Sequence, residues 1–334
     1  MKTFLTEDFD AIASAAWKQK IQFELNGADY QNTLMTPTNE GITIKPFYHL
    51  DDFEKLHIPA TEKAFKICQE IIITSESTTN QKAIDAIEGG ADSLKFRAKK
   101  PFNISVLFES LLDRNIEFHF KFEFFSETFL KELDIFLKNE VVFLNIDIIG
   151  HLARHGNWFK SLPSDFNKLS TVLSQSRSKF PLGVFAGIYQ NSGATVVQQV
   201  AYALAHANEY LTKFGADISD KIQFNFTVGA NYFFEISKIR AFKYLYALIT
   251  KEYGPSVNPK VYATPSIRNK TLYDYNTNML RTTTECMSAI IGGANTISNC
   301  AYDSVFHDSN DFGDRLARNQ LLILKEESFF QHAS

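Results

Sequence analysis

The sequence predicts the α/β class: a (β/α)8 TIM barrel behind an N-terminal arm that is part helical and part extended. Three observations predict it. Eight short apolar runs alternate with helical patterns over about 260 residues, the number and size of such a barrel. Several of those runs alternate with a period of two, which is strand spacing. The chain has 334 residues and 45% hydrophobic content, enough to bury one large core. The boundary falls near residue 60, with the arm over 1–60 and the barrel over 61–334. A doubly wound open sheet is the second architecture that the βα rhythm allows.

In the arm, Trp17, Ile21 and Leu25 recur at helical spacing, Asn26-Gly27 reads as a turn, and "GITIKPFY" (41–48) as an extended strand halted by Pro46. With Phe23, these side chains must cover apolar surface, either on their own barrel or on a partner. The eight strands are 65–72, 93–98, 117–124, 141–148, 180–187, 223–229, 261–266 and 296–303. Between them, Asn103 caps "ISVLFESLL", Ser164-Asp165 precedes "FNKLSTVLSQ", and Gly89-Gly90 and Gly292-Gly293 end helices. The glycine pairs sit in two similar connections, 87–96 and 290–299. Both lie before a strand rather than after one, so they read as turn chemistry and not as phosphate nests.

The strand 117–124 sets Phe118, Phe120, Phe122 and Phe124 against Glu117, His119, Lys121 and Glu123. Strands 65–72, 93–98 and 223–229 split in the same way. In a closed barrel the apolar face meets the helices, so the polar set must point inward. This predicts a polar lumen built from Lys66, Glu70, Lys95, Arg97, His119, Lys121 and Glu123. Buried charges need partners, so these groups should converge in salt-bridge reach and plug the barrel, and Glu123→Ala should cost about 3 kcal/mol. A solvated antiparallel face would alternate likewise, but the βα rhythm argues against it.

Net charge is −4, with Lys and Arg scattered singly, which excludes a phosphate-tracking nucleic-acid surface. Cys68, Cys286 and Cys300 are an odd number at wide spacing and read as reduced core thiols. An acidic N-terminus and the lack of a long apolar run argue against a secretory signal or a membrane span, so a cytoplasmic protein is expected.

Three stretches carry candidate chemistry. The turn "AGIYQNSGAT" (186–195) ends a strand with glycine, amide and hydroxyl residues. His151 and His155, four apart, would share a helix face as zinc ligands do, but the Glu of an HExxH motif is absent, so no metal site is assigned. Asp147, Glu123 and Glu70 at strand ends would supply acid and base to a stand-alone barrel enzyme. No nucleophile elbow, Walker loop or Rossmann fingerprint occurs.

From "SGATVVQQVAYALAHANEYL" (192–211) through 228–249, 276–298 and 315–328, the sequence resembles the barrel of the adenosylcobalamin-dependent acyl-CoA mutases, nearest to the small subunit of methylmalonyl-CoA mutase. The stretch "TPTNEGITIKPFY" (36–48) is similar to the same family's N-terminal segment. The resemblance implies a (β/α)8 barrel that threads coenzyme A, capped by a separate cobalamin domain. Catalytic chains carry a motif like S-G-Y-H-M-Q-E-A-G-A-T; laid onto 185–195, its histidine falls at Ile188, which can neither donate a hydrogen bond nor move a proton. Their tyrosine- and arginine-bearing first strand corresponds to 60–73, where neither residue type occurs. The cobalt-binding D-x-H-x-x-G hexapeptide is absent. The resemblance therefore implies a chain without catalytic residues, cofactor or cobalamin-binding domain of its own. Adenosylcobalamin would be held by a catalytic large subunit paired with it in a heterodimer, an isomerase interconverting methylmalonyl-CoA and succinyl-CoA. Neither nucleic acid nor membrane is expected as a partner.

Overall fold

A computed structural model describes residues 10–60, 64–307 and 310–332. It contains two compact units, one up to His57 and one from Ile58 onward. In the first, a helix spans Ser14–Glu24 and none of its residues is buried. Its Trp17 lies 5.9 Å from Phe47, ring to ring. Asn26 and Gly27 turn through positive φ, 50° and 91°, conformations that Asn tolerates and Gly adopts freely. The predicted strand over 41–48 shrinks to Thr43–Ile44, paired antiparallel with Thr36–Pro37. Residues 1–9 of the arm, and 61–63 in the stretch matched to the family's first strand, lie outside the described residues.

The second unit is a closed barrel of eight parallel strands: β1 (Lys66–Ile72), β2 (Ser93–Ala98), β3 (Glu117–Phe122), β4 (Val141–Ile146), β5 (Phe180–Val184), β6 (Ile222–Val228), β7 (Lys260–Pro265) and β8 (Thr296–Ser298). The last pairs back onto the first, Thr296 with Lys66 and Ser298 with Cys68. Helices α1 (Glu76–Glu88), α2 (Ile104–Leu107), α3 (Glu127–Phe136), α4 (Ile148–His155), α5 (Leu162–Gln175), α6 (Gly187–Asn191), α7 (Val196–Phe214), α8 (Tyr232–Tyr253), α9 (Thr277–Gly292) and α10 (Asp311–Leu322) surround it.

The outward strand positions form the core. Phe118, Phe120, Phe224 and Phe226 are fully buried against the helices, each contributing about 2–3 kcal/mol by leaving water. Phe224 and Phe226 meet Phe242 of α8 edge to face at 4.6 and 4.8 Å.

Most strands stop earlier than their apolar runs suggest. The sheet releases the chain at the rim, where polar residues accept the free N–H groups of the next helix. Ser75, Ser126 and Asp147 do this for α1, α3 and α4. The helix expected after Asn103 ends at Leu107. Ser110, Asp113 and Asn115 take positive φ instead, in turns that bury Leu107, Phe108 and Leu111. Helix α5 starts before the expected Ser164-Asp165: Ser161 is its cap, and Asp165 accepts the Lys160 N–H from within the first turn.

Candidate functional site

Strand register sorts the inward residues into levels. Glu70, Lys95 and His119 share one level, with Arg97 and Lys121 together above it. Lys95 Nζ donates to Asn225 Oδ1 at 3.2 Å, stands 3.9 Å from Glu70 Oε2, and lies 3.9 Å from the centre of the Tyr262 ring. Burial holds its pKa below the ordinary lysine value, with the Glu70 charge opposing. His119 is fully buried. Its Nδ1 is 3.1 Å from Gln223 Oε1, and its ring stacks on Phe143, which stacks on Phe180, each pair at 4.3 Å. Desolvation lowers the His119 pKa, so the imidazole is neutral, and Glu117 Oε2 at 3.7 Å from Nε2 is beyond hydrogen-bond reach.

The predicted set does not converge as one cluster. Lys95 meets Glu70, and Arg97 meets Glu123 at 2.7 Å. Lys66, by contrast, lines the N-terminal mouth of the barrel with Lys179 and Lys260. It precedes Cys68, which is level with Ser93 and Glu117, so it sits a layer below any carboxylate of the upper rows. Lys121 has neither a hydrogen bond nor an ion pair among the described residues. The Arg97–Glu123 pair is about one-third exposed, 34% and 33%, and so is not the buried pair that a 3 kcal/mol cost requires.

At the C-terminal rim the turn 186–195 is tied down rather than open. Ile188 is buried in α6. Tyr189 Oη lies 3.0 Å from His206 Nδ1, and His206 Nε2 lies 2.8 Å from Asp147 Oδ1. Asp147 also accepts from Tyr210 Oη at 2.9 Å and from the backbone N–H groups of Gly150 and Phe185, both at 2.8 Å. Burial alone would raise its pKa, but the charge and hydrogen bond of His206, with the two N–H groups, hold it below the ordinary value. Three donors crowd Asp147 Oδ1 and one backbone N–H binds Oδ2, so its carboxylate is fixed in place as a structural acceptor. His206 and Tyr210 went unnoticed in the sequence, although their spacing of four on α7 places them on one helix face.

Beside Asp147 opens a cavity of about 210 Å³ lined by Arg97, Lys121, Asn145, His151, Arg154 and Phe185, among others. His151 stacks on Phe159 at 3.6 Å, and its ring lies tilted against that of His155 at 4.4 Å. Among the described residues no group of three or more His, Cys, Asp or Glu is placed to hold a metal. Nor is any described helix long and apolar enough to cross a membrane.

The family model described as methylmalonyl-CoA mutase matches residues 141–333, from β4 to the C-terminal helices. The chain belongs to the methylmalonyl-CoA mutase family. It is 31% identical to the methylmalonyl-CoA mutase small subunit of Porphyromonas gingivalis over 98% of its own length and 59% of that protein's. It is 33% identical to the large subunit from the same organism over 46% of its length and 23% of that protein's. The methylmalonyl-CoA mutase of Escherichia coli is 32% identical over 41% and 21%. The chain thus spans little more than half the length of the small subunit it resembles.

Mutases of this family are generally cobalamin-dependent. This barrel's rim does not fit an adenosylcobalamin in the way the family motif implies. Ile188, which the resemblance sets at the motif's histidine, is buried and aliphatic. The nearby His206 has both ring nitrogens engaged, one by Tyr189 and one by Asp147.

Proposed function

We propose that this methylmalonyl-CoA mutase family chain acts as a small, non-catalytic subunit, pairing as a heterodimer with a large subunit that binds adenosylcobalamin and interconverts methylmalonyl-CoA and succinyl-CoA. The observation that carries the reading is Ile188. Acyl migration needs a group that can hydrogen-bond the acyl carbonyl, and at this position of the motif the chain offers a hydrocarbon. The lumen supports it, since Lys95, His119 and Tyr262 are each at most 4% exposed and fill the barrel axis where a pantetheine arm would run. The likeness to the small subunit of an organism that also has a large one supports the pairing.

In this reading the chain contributes a rigid barrel and contact surface. The arm, with Trp17 50% and Phe23 77% exposed, is the element we assign to the partner. The test is turnover. Purified chain given adenosylcobalamin and methylmalonyl-CoA should form no succinyl-CoA, and in its native host it should co-purify with a mutase large subunit. Turnover by the chain alone overturns the reading.

A further inference from the structure

The rim cavity holds an imbalance of charge. Of the two carboxylates on its wall, Glu123 is held by Arg97 through contacts of 2.7 and 2.8 Å, and Asp147 spends its oxygens on four donors. Two cations are left over. Among the described residues neither Lys121 nor Arg154 has a hydrogen bond or ion pair. The contact recorded for Lys121 Nζ is the face of Phe185, 5.6 Å away. Aromatic rings, Phe122, Phe124, Phe125 and Phe159, wall much of the rest.

An amine in such a place differs from a surface lysine. Burial, reinforced by the charge of Lys95 just below, brings the Lys121 pKa down to about 8. Glu70 opposes the shift, while Arg97 and Arg154 add to it. His151 and His155 also face the cavity, and the Glu123 charge is matched by Arg97. At pH 7 the neutral, nucleophilic fraction of Lys121 is therefore well above that of an ordinary lysine. Desolvation and a neighbouring cation are how proteins activate amines for attack on carbonyls.

We propose that Lys121 is a carbonyl-reactive amine, and that the cavity around it takes a small aldehyde or ketone bearing a carboxylate, its anion toward Arg154 and its carbonyl carbon at Lys121 Nζ. The amine lone pair forms a C–N bond as the carbonyl π electrons move to oxygen. The nitrogen proton passes to that oxygen through solvent, giving a carbinolamine. Its hydroxyl takes one further proton from solvent and leaves as water, and the protonated imine remains. No oxidant or reductant is needed. The inference does not rest on the mutase reading.

The experiment uses the full chain with glyoxylate and sodium cyanoborohydride at pH 7, which reduces any imine to a stable carboxymethyl-lysine, followed by peptide mass mapping. Lys121 should be labelled about tenfold faster or more than the exposed Lys131 and Lys138. Its rate should level off above pH 8, while theirs keep climbing. Lys121→Met should remove the fast site. Arg154→Met should slow labelling by glyoxylate well beyond its effect on labelling by acetaldehyde, which lacks a carboxylate and feels only the loss of the Arg154 charge from the Lys121 pKa. If Lys121→Met fails to fold, the peptide map of the unaltered chain decides alone. Labelling of Lys121 no faster than of Lys131 overturns the proposal. So does glyoxylate binding without an adduct, which would make the cavity an anion site only.

Discussion

Replacing Asp147 by Asn probes the knot that holds the rim. The side chain is 2% exposed and accepts four hydrogen bonds, three on Oδ1 and one on Oδ2. An Asn can turn its oxygen to the three donors at Oδ1, but its NH2 then faces the Phe185 N–H, donor against donor. The change takes the negative charge from an acceptor of four hydrogen bonds and leaves the Phe185 N–H unpaired. Together these should cost about 4 kcal/mol, or roughly 10 °C in melting temperature for a domain of this size. Because the folded pKa of Asp147 lies below its unfolded value, its contribution is complete above the unfolded pKa and fades as pH falls through the folded one. Urea unfolding at pH 7 and in steps below pH 4 should therefore show a gap between the two proteins that is widest at pH 7 and shrinks in acid. A difference under about 1 kcal/mol at pH 7 would refute the account of Asp147 as the structural acceptor that ties the rim together.

Gly183 lies beside Asn145 on the neighbouring strand β4, where a Cβ would come within 2.9 Å of the Asn145 Cα. Backbone cannot step aside cheaply, so Gly183→Ala should lower stability by about 1–3 kcal/mol in urea unfolding, and an unchanged midpoint would contradict this packing. Glu123→Ala breaks a pair that is one-third exposed; it should cost about 0.5 kcal/mol, fading at high salt. A loss of several kcal/mol would mean that the pair is desolvated in solution.

The barrel was legible because its strands alternate so regularly. The odd and even positions of 117–122 alone tell which residues face the helices, Phe118 and Phe120, and which face the axis, His119 and Lys121. Where strands end was not legible. An apolar run continues past the sheet into the rim, and only a cap such as Asp147 marks the exit. The pairing of lumen charges also escaped, because alternation gives a residue's face but not its height. Height depends on register between strands, which placed Lys66 at the mouth and left Lys121 without a carboxylate. The Asp147–His206–Tyr210 contacts join a strand end to a helix some sixty positions later, and such long-range meetings leave no local pattern in the sequence.

Lys95, His119 and Tyr262 are buried inside the barrel, and we propose that they fill the path along which the family's coenzyme A would thread. The most direct measurement is calorimetric titration of coenzyme A and methylmalonyl-CoA into the purified chain. The account predicts no saturable binding below about 1 mM, less than about 4 kcal/mol of affinity. Saturable micromolar binding of either ligand to the folded chain would contradict it.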